Sequence, residues 1–223
     1  MDVLVFCPIY RLEPETVEAI FALEWDGPIS YLFQRDNPAP VVSRSDGVAN
    51  HLHQYRRGRE VFLDGRYDAM LVIESDIIPP PYALRRLAVL DCDLAYGCYV
   101  FRRGDPVVNL TEDYGQGQRQ RACNVGESLT VRGLWPWALR QGVVEVSGSG
   151  LGCVLIRRHV LEAIEFRALN PALKPRIHCD TWFTAAAYRA GYSMKADTSV
   201  LCGHKTPAGN VLWPPPLGAE EEV

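Results

Sequence analysis

The sequence lacks any long apolar run. Although 48% of its 223 residues are hydrophobic, no stretch approaches the roughly 18 consecutive apolar residues that a membrane-spanning helix needs. The first residues, 1–7, carry no basic segment and read directly as a β-strand, which is untypical of a signal peptide. We therefore expect a cytoplasmic protein without a membrane span.

The chain also lacks excess positive charge and closely paired cysteines. Its formal net charge is −4, so the overall electrostatic field does not favour a nucleic-acid partner. Seven cysteines are present without a CxxC spacing, which argues against a zinc cluster. Cys7, Cys98, Cys153 and Cys202 lie in apolar runs, where cysteine behaves as a small buried hydrophobe. A reducing compartment fits this pattern.

What the sequence does contain is an apolar strand that ends in two acids. Residues 69–73 form a partly β-branched run typical of a strand buried on both faces. Glu74 and Asp76 follow it with one residue between them, and a proline block at 79–81 ends the strand. Open α/β sheets bind ligands beyond the carboxyl ends of their strands. The spacing predicts a divalent-metal site that holds a nucleotide diphosphate, although a surface turn with two solvated acids would give the same spacing.

Apolar runs of strand length alternate with stretches of helical periodicity, which indicates an α/β protein. Strands are predicted at 3–7, 29–33, 69–73, 93–100, 143–146, 153–156, 193–196 and 199–202. Helices are predicted at 14–25, from a cap at Ser43 or Ser45 to about Leu63, and at 82–90, 158–166 and 179–189.

Two regions fit neither pattern. Residues 102–142 have little periodicity, and a connection of that length is usually a functional lid or disordered. Trp135 and Trp137 within it could stack on a ligand or form a hydrophobic plug. We expect one catalytic domain over 1–205 and a mobile, acidic, proline-rich tail over 206–223.

Glycines and histidines elsewhere offer weaker signals. The glycine-rich segment 147–152 precedes a strand instead of opening a helix, so dinucleotide-loop and P-loop interpretations fail. Its glycines would rather let the backbone approach a ligand. His51 and His53 lie two residues apart and cannot share one helix face, so we expect solvated or locally bonded histidines there instead of a metal pair.

From Val3 to Lys205, the order of these features resembles a GT-A-fold glycosyltransferase of the family-2 type. Pro8-Ile9-Tyr10 resembles that family's nucleotide-binding start, and Asp36 stands where the family holds the base or ribose. Glu74-Ser75-Asp76 resembles its DxD motif, with Glu in place of the first Asp. Ser149-Gly150-Leu151-Gly152 is similar to its acceptor-side glycine segment.

Two late segments complete the resemblance. The stretch 179–183 is similar to the family segment whose Asp, here Asp180, acts as catalytic base; the alternative role of Asp180 is a helix N-cap. His204 matches the histidine that completes the metal site in many members. Cys179 departs from the pattern, since an acid often precedes the base.

The resemblance implies a mixed, mostly parallel sheet flanked by helices. It also implies metal-dependent, inverting transfer of a sugar from a UDP or GDP sugar to a hydroxyl acceptor. Glu74, Asp76 and His204 would hold Mn²⁺ or Mg²⁺, and an imidazole ligand favours Mn²⁺. The donor would contact five positions: Pro8, Tyr10, Asp36, Ser75 and Gly150.

Other functions are compatible with the same residues. A sugar-phosphate nucleotidyltransferase would use a similar sheet and metal, but would normally show a glycine- and arginine-rich loop where Pro8-Ile9-Tyr10-Arg11 stands. A non-catalytic nucleotide-sugar or glycan-binding module could keep the aromatic loop and the metal without needing Asp180. A metal hydrolase has the weakest support, from two acids and one late histidine. The sequence does not identify the sugar, the base or the acceptor.

Overall fold

The computed structural model describes residues 1–38, 40, 44–101, 108–111, 133–134, 142–167 and 179–214. Its strands are β1 (Val3–Pro8), β2 (Ile29–Gln34), β3 (Ala69–Ile73), β4 (Ile77–Ile78), β5 (Leu94–Cys98), β6 (Val108–Thr111), β7 (Gly133–Leu134), β8 (Val143–Glu145), β9 (Gly148–Ser149), β10 (Cys153–Arg157), β11 (Met194–Leu201), β12 (Gly203–Lys205) and β13 (Val211–Leu212). Its helices are α1 (Pro14–Phe21), α2 (Arg44–Asp64), α3 (Ala83–Ala88), α4 (Arg158–Ala163) and α5 (Cys179–Arg189).

A seven-stranded sheet in the order β2-β1-β3-β10-β5-β11-β8 forms the centre of the fold. β1 pairs in parallel with β2 and β3, and β5 pairs in parallel with β11. β10 lies antiparallel between β3 and β5, and β8 is antiparallel to β11. Within this sheet, all strands except β8 and β10 therefore run the same way. This mixed, mostly parallel sheet with flanking helices confirms the predicted α/β architecture.

Alternate residues of each central strand face two separate hydrophobic clusters. Met70 and Val72 of β3 pack in the cluster that includes α2, α4 and α5 side chains, whereas Leu71 and Ile73 pack with those of α1 and α3. All of β3 is buried, as a doubly covered strand requires. Each fully buried aliphatic side chain contributes about 1.5–3 kcal/mol through the hydrophobic effect.

The structure corrects several predicted boundaries. α1 ends at Phe21 instead of residue 25, and α4 ends at Ala163 instead of residue 166. The two strands predicted at 193–196 and 199–202 are one strand, β11, whose pairing with β5 is irregular between Ala196 and Leu201. None of the described helices is long and apolar enough to span a membrane.

Two small sheets flank the central one. β12 pairs antiparallel with β4 and with β13, and β6 pairs antiparallel with β7 and β9. β13 lies within the segment predicted as a tail, where a turn at Gly209 (φ +90°) folds the chain back onto β12. Most of 102–142, including both tryptophans, and residues 215–223 lie outside the described residues.

Candidate active site

The acid motif forms a tight turn at the carboxyl end of β3. The Ile77 N–H donates to the carbonyl of Glu74 at 2.9 Å, and the Glu74 N–H donates to the carbonyl of Gly152 at 3.0 Å. The Lys205 N–H donates to the carbonyl of Asp76 at 2.7 Å. These backbone bonds fix the motif between β10 and β12.

The pairing of β12 with β4 brings His204 to Asp76. Register places His204 opposite Ile77, and Nε2 of His204 lies 3.8 Å from Oδ2 of Asp76. Nδ1 of the same ring lies 2.6 Å from the carbonyl oxygen of Val100. Because a carbonyl only accepts, Nδ1 is the donor of this bond, and Nε2 is the ring nitrogen that lies beside Asp76.

This pair fits a divalent cation. An imidazole and a carboxylate are suitable donors for Mn²⁺, and a backbone carbonyl on the second ring nitrogen commonly orients a metal-binding histidine. In the part of the chain that the structure describes, no group of three or more His, Cys, Asp or Glu is arranged to hold a metal. The protein would thus supply two donors, leaving positions for phosphate oxygens and water.

Glu74 is held by α2. Its Oε1 accepts from the Tyr55 hydroxyl at 3.0 Å and lies 3.3 Å from Nε2 of His51. Burial, reinforced by Glu74, raises the pKa of Tyr55 well above 10, so the phenol remains a donor. The predicted grouping of Glu74 with Asp76 and His204 is therefore not found among the described residues. Glutamate's longer arm brings this carboxylate within reach of α2.

A cleft of about 460 Å³ opens beside these acids at the carboxyl ends of β1 and β3. Its described lining consists of Pro8, Tyr10, Asn37, Gly47, Asn50, His51, Gln54, Glu74, Ser75, Asp76 and Asp180. The ionisable groups in this lining, apart from Tyr10, are three carboxylates and one imidazole. Among the described lining residues, acidic side chains therefore outnumber basic ones.

Three of the predicted donor-binding residues line this cleft: Pro8, Tyr10 and Ser75. Tyr10 is 77% exposed, so its ring is accessible at the cleft. Asp36 lies on the exposed loop after β2, where the adjacent Asn37 lines the cleft instead. Gly150 follows β9 and is not among the described lining residues.

A polar stripe of α2 forms one wall of the cleft, which the sequence analysis missed. Gly47, Asn50, His51 and Gln54 follow the i, i+3, i+4, i+7 spacing of one helix face. The amide nitrogen of Gln54 donates to the carbonyl of Ile9 and to Oδ1 of Asn37, both at 2.8 Å. The sequence does contain this signal, because polar residues recur along α2 with the period of a helix.

Asp180 reaches the cleft from the first turn of α5. The helix begins at Cys179, so Asp180 lies inside the first turn and not at the N-cap position. Its Oδ1 accepts from the N–H of Thr181 at 2.6 Å. A carboxylate in the first turn interacts favourably with the positive end of the helix dipole.

Two further groups beside the acids, the Lys205 ammonium and the Cys7 thiol, are respectively paired and neutral. Nζ of Lys205 lies 2.8 Å from Glu13 and 2.6 Å from Glu15, so its charge is balanced within the protein. Burial, then the carboxylates of Glu74 and Asp76, raise the pKa of Cys7 to about 12. Its thiol therefore stays protonated at neutral pH.

A larger cavity of about 690 Å³ lies at the amino ends of the parallel strands. Its two arginines are bound to backbone: Arg157 donates to the carbonyls of Ala88 and Leu90, and Arg158 donates to that of Leu63 among others. Because these guanidinium groups are bound to backbone carbonyls and hold the fold together, we place the candidate site in the smaller cleft.

Comparison with known proteins gives a likeness at the level of fold. No protein-family profile matches the sequence. No curated protein sequence matches it either. Among solved structures, A197 from STIV superposes with a TM-score of 0.58 and 17% identity over 99% of this chain and 97% of that chain.

A second solved structure that is similar to this chain is S. aureus TarS 1–349 in complex with UDP. The TM-score is 0.47 and the identity 9%, over 89% of this chain and 58% of that chain. The likeness to A197 spans nearly all of both chains and concerns the fold.

Proposed function

We propose that this protein is a metal-dependent glycosyltransferase that moves a sugar from a nucleoside-diphosphate sugar, of the UDP or GDP type, to a hydroxyl acceptor. The observation that carries the proposal is the convergence of Asp76 and Asp180 on one cleft, with His204 at 3.8 Å from Asp76. These three residues come from separate elements and meet at the carboxyl end of the sheet.

The charge of the cleft supports a metal. Its described lining carries three carboxylates and one imidazole, and Lys205 nearby is paired with Glu13 and Glu15. A diphosphate would be repelled by this lining unless a cation lay between them. Asp76 and His204 would hold Mn²⁺ or Mg²⁺, which as a Lewis acid stabilises the charge that develops on the leaving diphosphate.

The remaining residues of the cleft would hold the donor and move a proton. Pro8, Tyr10 and Ser75 provide contacts for the nucleotide. Asp180 would accept the proton of the acceptor hydroxyl while that oxygen attacks the anomeric carbon. The glycosidic bond to phosphate breaks as the new bond forms, so direct displacement inverts the configuration.

Substitution of Asp76 tests the metal assignment. We expect Asp76→Asn to abolish Mn²⁺-dependent binding of UDP or GDP, because an amide is a much weaker ligand than a carboxylate. Isothermal titration calorimetry with and without Mn²⁺ measures this. Asp91→Asn, which changes an exposed acid remote from the cleft, is the matched control. Unchanged affinity in Asp76→Asn would remove the assignment.

Substitution of Asp180 tests the base. Asp180→Asn should leave Mn²⁺-dependent binding of UDP or GDP intact while hydrolysis of UDP-glucose or GDP-mannose falls by roughly 100-fold or more, the size of effect that general-base catalysis supplies. Release of the nucleoside diphosphate reports turnover. If hydrolysis continues at the wild-type rate, the base lies elsewhere or the reaction retains configuration.

A further inference from the structure

A chain of side-chain contacts joins the acid motif to the helix that carries Asp180. Nε2 of His51 lies 3.3 Å from Oε1 of Glu74, and Nδ1 of the same ring lies 3.5 Å from Sγ of Cys179. Glu74 follows β3, His51 belongs to α2 and Cys179 opens α5. A single imidazole thus bridges three elements.

His51 is packed as well as bonded. Its ring meets that of Tyr55 edge-on at a centroid distance of 4.8 Å, and Tyr55 donates to the same Oε1 of Glu74. Cys179 is 1% exposed, and burial raises the pKa of its thiol, so the sulfur is uncharged at neutral pH. The ring therefore has defined partners on both edges.

Both ring nitrogens of His51 are engaged within the protein, although the residue lines the cleft. Neither nitrogen is left to exchange a proton with a ligand. This arrangement favours an indirect role, in which His51 acts through the residues that it holds.

We propose that His51 is a positioning residue that sets the place of Asp180 relative to the acid motif, acting through Cys179 on one side and Glu74 on the other. Asp180 follows Cys179 directly in the first turn of α5, so the contact of His51 with Cys179 would hold the backbone that carries the Asp180 carboxylate. This inference rests on the proposed glycosyltransferase function and adds a residue that the resemblance does not assign.

The test uses two single variants, their combination and a matched control. His51→Leu removes both ring contacts, and Cys179→Ala removes one of them with a small loss of volume. His53→Leu, two residues further along α2, is the control. Hydrolysis of UDP-glucose or GDP-mannose with Mn²⁺ gives kcat and KM, and calorimetry with UDP or GDP gives the affinity.

We expect kcat to fall about 10- to 100-fold in His51→Leu and Cys179→Ala, as is usual when a supporting residue of a site is lost. KM and the affinity for UDP or GDP should stay at their wild-type values, and His53→Leu should resemble the wild type. Because the two residues act in series, the double variant should be no slower than His51→Leu. If His51→Leu fails to fold, Cys179→Ala alone decides.

Three results would overturn the inference while leaving the proposed function standing. They are wild-type kcat in Cys179→Ala, a multiplicative loss in the double variant, or a loss of nucleotide affinity in His51→Leu, which would indicate direct contact. A wild-type protein that neither binds UDP or GDP with Mn²⁺ nor hydrolyses the sugar donors would remove the proposed function, and this inference with it.

Discussion

Glu74 and Asp76 leave the same strand end but lead to different partners. Asp76 lies beside His204, whereas Glu74 is bound by the hydroxyl of Tyr55 and the ring of His51. The different arm lengths explain the division, because the longer glutamate reaches α2. The two carboxylates of the motif thus contact different elements: Asp76 lies beside β12, and Glu74 fastens α2 to the sheet.

Replacing Tyr55 tests the fastening role of Glu74. Tyr55 is fully buried, so Tyr55→Phe removes a buried donor to the partly exposed Glu74 carboxylate. We expect a loss of about 1.5–3 kcal/mol in the free energy of unfolding, the usual value for a hydrogen bond to a charged group. Urea denaturation at pH 7 measures it.

Tyr82→Phe is the matched control for that substitution. The Tyr82 hydroxyl also donates, to the carbonyl of Ser199 at 3.2 Å, but the side chain is 39% exposed. Water can replace this bond, so the change should stay within about 0.5 kcal/mol. Equal losses in the two variants would contradict the special role of the Glu74 contact.

At the residue scale, the sequence predicts the acids that line the cleft better than it predicts the contacts between the helices around them. Asp76 and Asp180 are readable because acids follow an apolar strand and open a helix, and both line the cleft. The bond from His51 to Cys179 joins residues 128 positions apart. Such a contact depends on how α2 and α5 pack, which no local pattern specifies.

At the scale of elements, β11 shows how side chains shape a strand. Oδ1 of Asp197 accepts from the N–H of Ser199 at 2.9 Å and from its hydroxyl at 2.6 Å. Oδ2 accepts from Arg86 of α3 at 2.8 Å. These bonds fall where the pairing of β11 with β5 is irregular. The sequence predicted two short strands because the polar residues 197–199 interrupt the apolar pattern, and the bonds explain why one strand continues through them.

We expect Asp197→Asn to lower the free energy of unfolding by about 1.5–3 kcal/mol at pH 7, because it weakens charged hydrogen bonds of a buried group. Burial alone would raise the pKa of Asp197, but Arg86 and Ser199 outweigh it and hold the pKa below 3.8. Because the pKa of Asp197 is lower in the folded protein, its ionised carboxylate stabilises the fold above pH 3.8. This stabilisation is lost as the pH falls through the pKa of the folded state.

The pH dependence provides the decisive measurement for Asp197. The difference in the free energy of unfolding between wild type and Asp197→Asn should be largest at neutral pH and should shrink as the pH falls below 3.8. Urea denaturation across the acid range measures this difference. Asp91→Asn, at an exposed turn, should match the wild type throughout. A difference that stays constant down to the acid limit would contradict the charged contact.

At the scale of the whole molecule, the cleft gathers residues from distant parts of the chain. Pro8 ends β1, His51 lies on α2, Asp76 follows β3 and Asp180 lies on α5. β1 and β3 are neighbouring interior strands of the sheet, and their alternate residues contribute to both hydrophobic clusters. A ligand in the cleft would therefore be linked to the stability of the entire fold.

Ligand-dependent melting tests this linkage together with the proposed function. Mn²⁺ with UDP or GDP at 100 times the dissociation constant should stabilise the fold by about 2.7 kcal/mol, which for a chain of this size raises Tm by roughly 5–10 °C. Asp76→Asn should lose this increase, whereas Asp197→Asn should melt at a lower temperature and keep it, because Asp197 is remote from the cleft. An equal increase in wild type and Asp76→Asn would show that the nucleotide binds elsewhere, and the cleft would lose its assignment.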